Sequence, residues 1–320
     1  MPTPKEKSKV VEFYPDVPEA EIAELLNGAV DLHCHSGPSV MPRCLNHLEA
    51  IRDAEAVGMH AILFKDHYYS VTPIVEFLKE TVRDIKITMF SGVPLNNSTG
   101  GLNPYAVEHG LQLGARMVWM PTFSAANHIR AGHKHTILPT KSKILPPTAL
   151  TIVTERGQLK DEVKEILDLI AAYDAVLSGG HLHVSEMWPL FEEAKARGVK
   201  RMLVNHPTFA IDASVADIRE LAHMGVWIEH SFCMFINEAY SKFFTGQDLK
   251  ELITAAGVDR TILGSDLGQI NNPRPVASFR SVILLLLGLG YSKEDIRKLI
   301  SLNACTLMDI APPAPAAVRS

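Results

Sequence analysis

Eight near-continuous apolar runs, each separated from the next by a loop and an amphipathic stretch, set the limits on what this chain can become. The runs are Ala29–His35, His60–His67, Ile87–Leu95, Ala115–Thr122, Ala175–His183, Arg201–His206, Val226–Phe232 and Thr261–Leu267. Their cores are Val, Ile, Leu and Met without polar alternation, the pattern of parallel strands buried on both faces. Helix signals lie between them. Thr72-Pro73 and Asn103-Pro104 place a capping residue before a proline at the first helical position. Ser292 to Asp295 has the form of a capping box, and Gly58, Gly114, Gly198, Gly225 and Gly257 each end a helix just before the next run.

Strand and helix alternating eight times is the sequence form of an α/β chain folded as a single (β/α)8 TIM barrel. An open, doubly wound sheet is the alternative, weakened because no glycine-rich dinucleotide or P-loop motif follows a strand. The 320 residues suit one such barrel over 29–310, with a tail and lead-in helix over 1–28 and a tail over 311–320. One spacing breaks the rhythm: an insertion over 123–158, after the fourth run, carries His128, Arg130, His133 and His135. Its place at a strand's C-terminal end predicts a lid with a small β-hairpin.

Composition narrows the function. Lys plus Arg number 31 against 36 Asp plus Glu, a net charge of −5, which argues against a nucleic-acid or anionic-membrane partner. Cys34, Cys44, Cys233 and Cys305 are scattered, so no disulfide framework or zinc knuckle is expected. The charged start lacks a signal-peptide core, and Val282–Leu289, the most apolar run, is far too short for a bilayer. That run predicts a buried helix or a homo-oligomer contact. A cytoplasmic protein with a small-molecule substrate is the expectation.

The histidines locate the chemistry. Active sites of such barrels gather at the C-terminal ends of the strands, and seven of the 14 histidines fall there: His33, His35, His67, His181, His183, His206 and His230. Residues i and i+2 of a strand share a side, so His33 and His35 present two imidazoles to one divalent metal. His181 and His206 approach from the opposite wall, and Asp266, ending the last run, closes the ring with a carboxylate. Imidazole plus carboxylate suits Zn first, then Mn, Fe or Ni. Lys65 inside an apolar strand needs a partner. Glu229 and His230 alternate, so only one faces the mouth. Arg43, in the first strand-to-helix loop, is a candidate anion ligand or a solvated surface residue.

The order His33-x-His35, His181, His206 and Asp266 on these runs resembles the amidohydrolase superfamily. The likeness extends to Ile300–Met308 after the last helix and covers about 29–310. Leu32–Arg43 and Phe64–His67 look more narrowly like an uncharacterised amidohydrolase-like family, which implies a fold but no substrate. The resemblance implies one or two divalent ions held by His33, His35, His181, His206 and Asp266. Two-metal members take a bridging carboxylate from the fourth strand, and Met117–Thr122 has none. Lys65, if carbamylated, or His67 stands as a substitute, and a single-metal site fits equally.

A metal-dependent hydrolase follows as the expectation, acting on a C–N, ester, lactone or phosphoester bond of a small molecule. Asp266 moves the proton, and His183 or Lys65 stabilises negative charge. His67, Arg43, His128 and Arg130 are the candidate substrate contacts. A metal-dependent decarboxylase on the same scaffold is one alternative, and a non-catalytic metal-binding barrel is another.

Overall fold

The structure, a computed structural model, describes residues 7–132 and 140–314. Its strands are β1 (Val30–Cys34), β2 (Ala61–Phe64), β3 (Thr88–Phe90), β4 (Gly92–Pro94), β5 (Met117–Trp119), β6 (Val176–Ser178), β7 (Arg201–Asn205), β8 (Trp227–Ser231) and β9 (Thr261–Gly264). Each of the eight apolar runs supplies strand, but the third is split in two at Ser91. All pairings are parallel and follow chain order, β1 to β3 in one sheet and β4 to β9 in the other.

The last strand's end meets the first. Cys34 bridges Leu267 in parallel. The His35 N–H donates to Leu267 O and the Asp266 N–H to His33 O, both at 2.8 Å. Asp31 clamps this joint. Its carboxylate accepts from the His33 and Ser265 amides at 3.0 Å each and from Ser265 Oγ at 2.6 Å. These bonds give both oxygens of the buried carboxylate a donor.

Helices fill the intervals: α1 (Glu19–Leu26), α2 (His47–Ala56), α3 (Thr72–Thr81), α4 (Pro104–Leu113), α5 (Ala126–Ala131), α6 (Asp161–Ala172), α7 (Val184–Ala196), α8 (Val215–Met224), α9 (Gly246–Ala256), α10 (Pro275–Gly288), α11 (Lys293–Arg297) and α12 (Asn303–Met308). Capping boxes start α2, α8, α9 and, as the sequence predicts, α11, where Ser292 pairs with Asp295. Asn103 caps α4. Thr72 differs from its expected role: α3 begins at Thr72 with Val71 in the cap position, and the Thr72 hydroxyl instead bonds Ser70 and Ser91.

Alternate strand residues go to two clusters. Val30, Leu32, Ala61, Leu63, Met117, Trp119, Val176, Leu203 and Ile262 form one, which α12 closes with Ala304, Cys305, Leu307 and Met308. Ile62, Phe64, Val118, Leu177, Val204, Ile228 and Leu263 join the helices in the other. Burial on both faces explains why the runs do not alternate with polar residues. Val282–Leu286 is buried within the chain, with α10 against α1 and α2. The four cysteines are free, and among the described residues no helix is long and apolar enough to cross a membrane.

Within 123–158, Leu150 pairs with Ala125, and the expected hairpin reduces to one antiparallel bridge, Val153 to Leu159, around a turn at Thr154–Gly157. His133 and His135 lie outside the described residues.

Candidate active site

The C-terminal strand ends open onto a cavity of about 1000 Å³. His33, His67, His181, His206 and Asp266 line it, along with Arg43 and His128. Ile144 to Thr148 of the insertion form part of its wall. His35 and Lys65 lie behind that wall, each 1% exposed.

At the centre, ligand atoms of His33, His35 and Asp266 fall within 4.8 Å of one another. The outer hydrogen bond of each imidazole fixes its tautomer. His33 Nδ1 donates to Glu229 Oε2 at 2.8 Å, and His35 Nδ1 to the Lys65 carbonyl at 2.9 Å. In the neutral rings both Nε2 atoms therefore carry lone pairs, and both point at Asp266 Oδ1, at 3.3 and 3.0 Å. Two imidazole lone pairs and a carboxylate oxygen thus converge, and the buried His35 Nε2 makes no hydrogen bond among the described residues. Such a group attracts cations, as the approach of Lys65 Nζ to His33 Nε2 illustrates. His206 is set the same way, its Nδ1 donating to Phe209 O at 3.2 Å, and its ring stands 5.8 Å from that of His33 and 5.0 Å from that of His181. The donor set fits a divalent ion of the zinc type.

Local backbone carries these side chains to the cavity. Strand β6 stops at Ser178, and Gly180 turns the chain at φ 60°, where a Cβ would collide with the carbonyl oxygens of Met120 and Pro121. The turn delivers His181, whose amide donates to Pro121 O at 2.9 Å. Because the strand has already ended, the i, i+2 rule does not bring His183 to the side that His181 faces. His183 instead caps α7, accepting from the Ser185 amide, and it does not line the cavity. His206 and Asp266 are both held at positive φ, 32° and 52°, a conformation that costs non-glycine residues energy and clusters at functional sites.

Burial dominates the electrostatics. It pushes His206 down to about 4 and His35 down to about 3, keeping both neutral at physiological pH. Burial raises Asp266, but His33 and His35 overcome it and hold the carboxyl well below its ordinary range. Glu229 follows the same logic: burial opposes its charge, His33 wins, and the carboxyl sits at about 2. Burial pulls Lys65 down to about 8 against the carboxylates of Asp266 and Glu229.

Lys65 does reach the cluster, its Nζ 3.1 Å from His33 Nε2. His67 is not part of the His33–His35–Asp266 group. Its Nδ1 bonds Thr122 Oγ1 at 2.9 Å and its ring stacks on Phe123, centroids 3.8 Å apart. Nδ1 of His181 lies 2.9 Å from Nδ1 of His128, which brings the insertion to the cluster. Arg130 is turned to Asn127 Oδ1 at 2.9 Å and is absent from the cavity wall. Arg43 is not a surface residue: its side chain is 3% exposed and paired with the fully buried Asp66 at 3.1 Å.

Sequence reasoning left Glu229 and His230 unresolved. Glu229 is the one that faces the cluster, receiving His33, Asn205 Nδ2 and Ser231 Oγ. His230 points the other way, buried, with neither ring nitrogen bonded. A glutamate amid an apolar strand requires buried partners, and that was the usable signal. Asp31, Asn96 and Thr122 were missed because Ser265, Thr122 and His67, the partners that give them their roles, lie far from them in sequence.

Solved structures share this fold. An amidohydrolase from Pseudomonas aeruginosa superposes with a TM-score of 0.62 at 14% identity, covering 91% of this chain and 98% of that one. A probable dipeptidase from Pseudomonas aeruginosa gives 0.57 at 13% identity, covering 91% and 98%. A 2,6-dihydroxybenzoate decarboxylase gives 0.51 at 13% identity, covering 89% and 100%. The neighbours are thus amidohydrolase-superfamily enzymes, both hydrolases and a decarboxylase. No curated protein sequence matches the chain. Residues 28–229 match the model of a family of unknown function, DUF6282, and the chain belongs to that family.

Proposed function

We propose that the chain is a metal-dependent hydrolase built as one closed (β/α)8 barrel, with 123–158 as a lid over the mouth. The bonds joining β1 to the residues after β9 support closure, and the cavity-lining residues Ile144 to Thr148 support the lid. The observation that carries the reading is the convergence of His33 Nε2, His35 Nε2 and Asp266 Oδ1, three atoms able to ligate one ion. His206 completes the ligand group, with His181 beside it. A divalent ion bound there would supply a Lewis acid and lower the pKa of a water toward neutrality.

The chain's own residues account for the rest. Glu229 and the Lys65 carbonyl hold His33 and His35 in the ligating tautomer. Asp266, ionised and 17% exposed, stands between the cluster and the cavity, where it accepts a proton from the attacking water and returns it to the leaving group. The mostly apolar wall of Val40, Met41, Phe123 and Met234 excludes bulk water and receives a small molecule.

Elemental analysis of chain purified without chelators tests this. One equivalent of metal per chain, lost in Asp266→Ala, is the expected result. Two equivalents would bring in Lys65 as a carbamylated bridge. No metal, with none taken up on titration with zinc, would overturn the reading.

A further inference from the structure

Asn96 sets the hydrogen-bond polarity of the wall beside the cluster. Its Oδ1 accepts from the backbone amides of Thr122 and Ser124, at 2.9 and 3.0 Å, which fixes which end of the side chain is oxygen. Its Nδ2 therefore donates, to His67 O at 2.8 Å and to Thr122 Oγ1 at 2.6 Å. The Thr122 hydroxyl proton goes to His67 Nδ1, 2.9 Å away. The reverse arrangement would leave that buried hydroxyl proton with no acceptor among the described residues, which is costly. A ring that accepts at Nδ1 is neutral and carries its proton on Nε2.

His67 is thus the opposite tautomer to His33, His35 and His206, whose Nδ1 atoms donate. The ring faces are occupied by stacking on Phe123 at 3.8 Å and on His35 at 5.0 Å. A ligand in the cavity that His67 lines meets the ring at its edge. With Nδ1 committed to Thr122, Nε2–H is the polar group left to offer.

We propose that His67 is a fixed N–H donor to the substrate and not a metal ligand. The Asn96–Thr122 pair locks the tautomer. The substrate group that meets His67 is then an acceptor oxygen, carbonyl or carboxylate, and an ammonium or N–H group in that place is rejected because two donors would face each other. On a carbonyl substrate the same N–H stabilises the oxygen as negative charge develops on it. The substrate class rests on the hydrolase reading above; the tautomer does not.

The test is two-bond 1H–15N correlation NMR on the full chain labelled with 15N-histidine, with His67 assigned from the resonances lost in His67→Gln. The expected result is a protonated Nε2 and an unprotonated Nδ1 on His67, in metal-free protein and after zinc. Thr122→Ser keeps this pattern, and Thr122→Val converts it to a mixture of tautomers. Benzoate moves the Nε2–H resonance and benzylamine does not. A proton on Nδ1, a zinc-induced coordination shift on Nε2, an unchanged pattern in Thr122→Val, or no response to benzoate overturns the proposal. Zinc shifts at His33, His35 and His206 report the hydrolase reading separately. Their absence sinks that reading while the His67 tautomer is still decided on metal-free protein.

Discussion

Glu229 Oε2 and His33 Nδ1 stand 2.8 Å apart with neither side chain more than 1% exposed. The carboxylate orients the ring and raises the basicity of the opposite nitrogen, which faces Asp266. Replacing Glu229 with Gln keeps the volume and removes the charge. Zinc affinity, measured by competition with a chromophoric chelator, is expected to fall about ten- to a hundredfold. Unchanged affinity would mean that His33 does not ligate.

Arg43 and Asp66 form a buried pair whose guanidinium Nε and Nη1 make no other hydrogen bond. Removing one partner strands the other charge out of water. Arg43→Met is expected to lower unfolding stability by about 3–5 kcal/mol in urea titrations. Arg43→Met with Asp66→Asn should recover part of the loss. A change under about 1 kcal/mol would show that the pair is solvated.

His183 tests the turn at Gly180. Because its ring serves α7 and not the cavity, His183→Ala should cost no more than about 1 kcal/mol, the worth of a helix cap. Metal content should not change. A loss of bound metal in this variant would restore the residue to the site.

Acid should destabilise the fold in two steps. Burial holds His47 and His230 at about 4 against an ordinary 6.5. Above about pH 6.5 these rings are neutral in both folded and unfolded chains. As pH falls from 6.5 to 4, the unfolded chain binds protons that the folded chain refuses, so stability drops. Glu229, at about 2 against an ordinary 4.5, extends the loss as pH falls from 4.5 toward 2. Melting midpoints should be flat above pH 6.5 and decline below it. His230→Leu removes a ring with neither nitrogen bonded and should recover on the order of 1–3 kcal/mol at pH 4. An equally steep decline in that variant would remove His230 from the account.

Periodicity made the strands and most helices legible, since buried parallel strands and amphipathic helices write different patterns. His33, His35 and Asp266 were legible for the same reason: each lies within or just after a strand whose end could be read from the chain. His183 failed because the sequence does not say where β6 stops, and two adjacent glycines end it early. Thr72 failed by one residue at a helix boundary. Arg43 went unplaced because its burial depends on Asp66, 23 residues on and in another loop. The polarity of His67 depends on Asn96 and Thr122, which no local pattern joins.

The clamp between Asp31 and Ser265 spans 234 residues. During synthesis the first strand leaves the ribosome long before its last neighbour exists, and Asp31 and His33 stay bonded to water until Ser265 and Asp266 have been made. An N-terminal fragment of any length short of that point holds an incomplete ligand set. The full ligand set proposed for the metal is therefore assembled only once most of the chain has been made, and Asp31 is buried no earlier than Ser265 arrives.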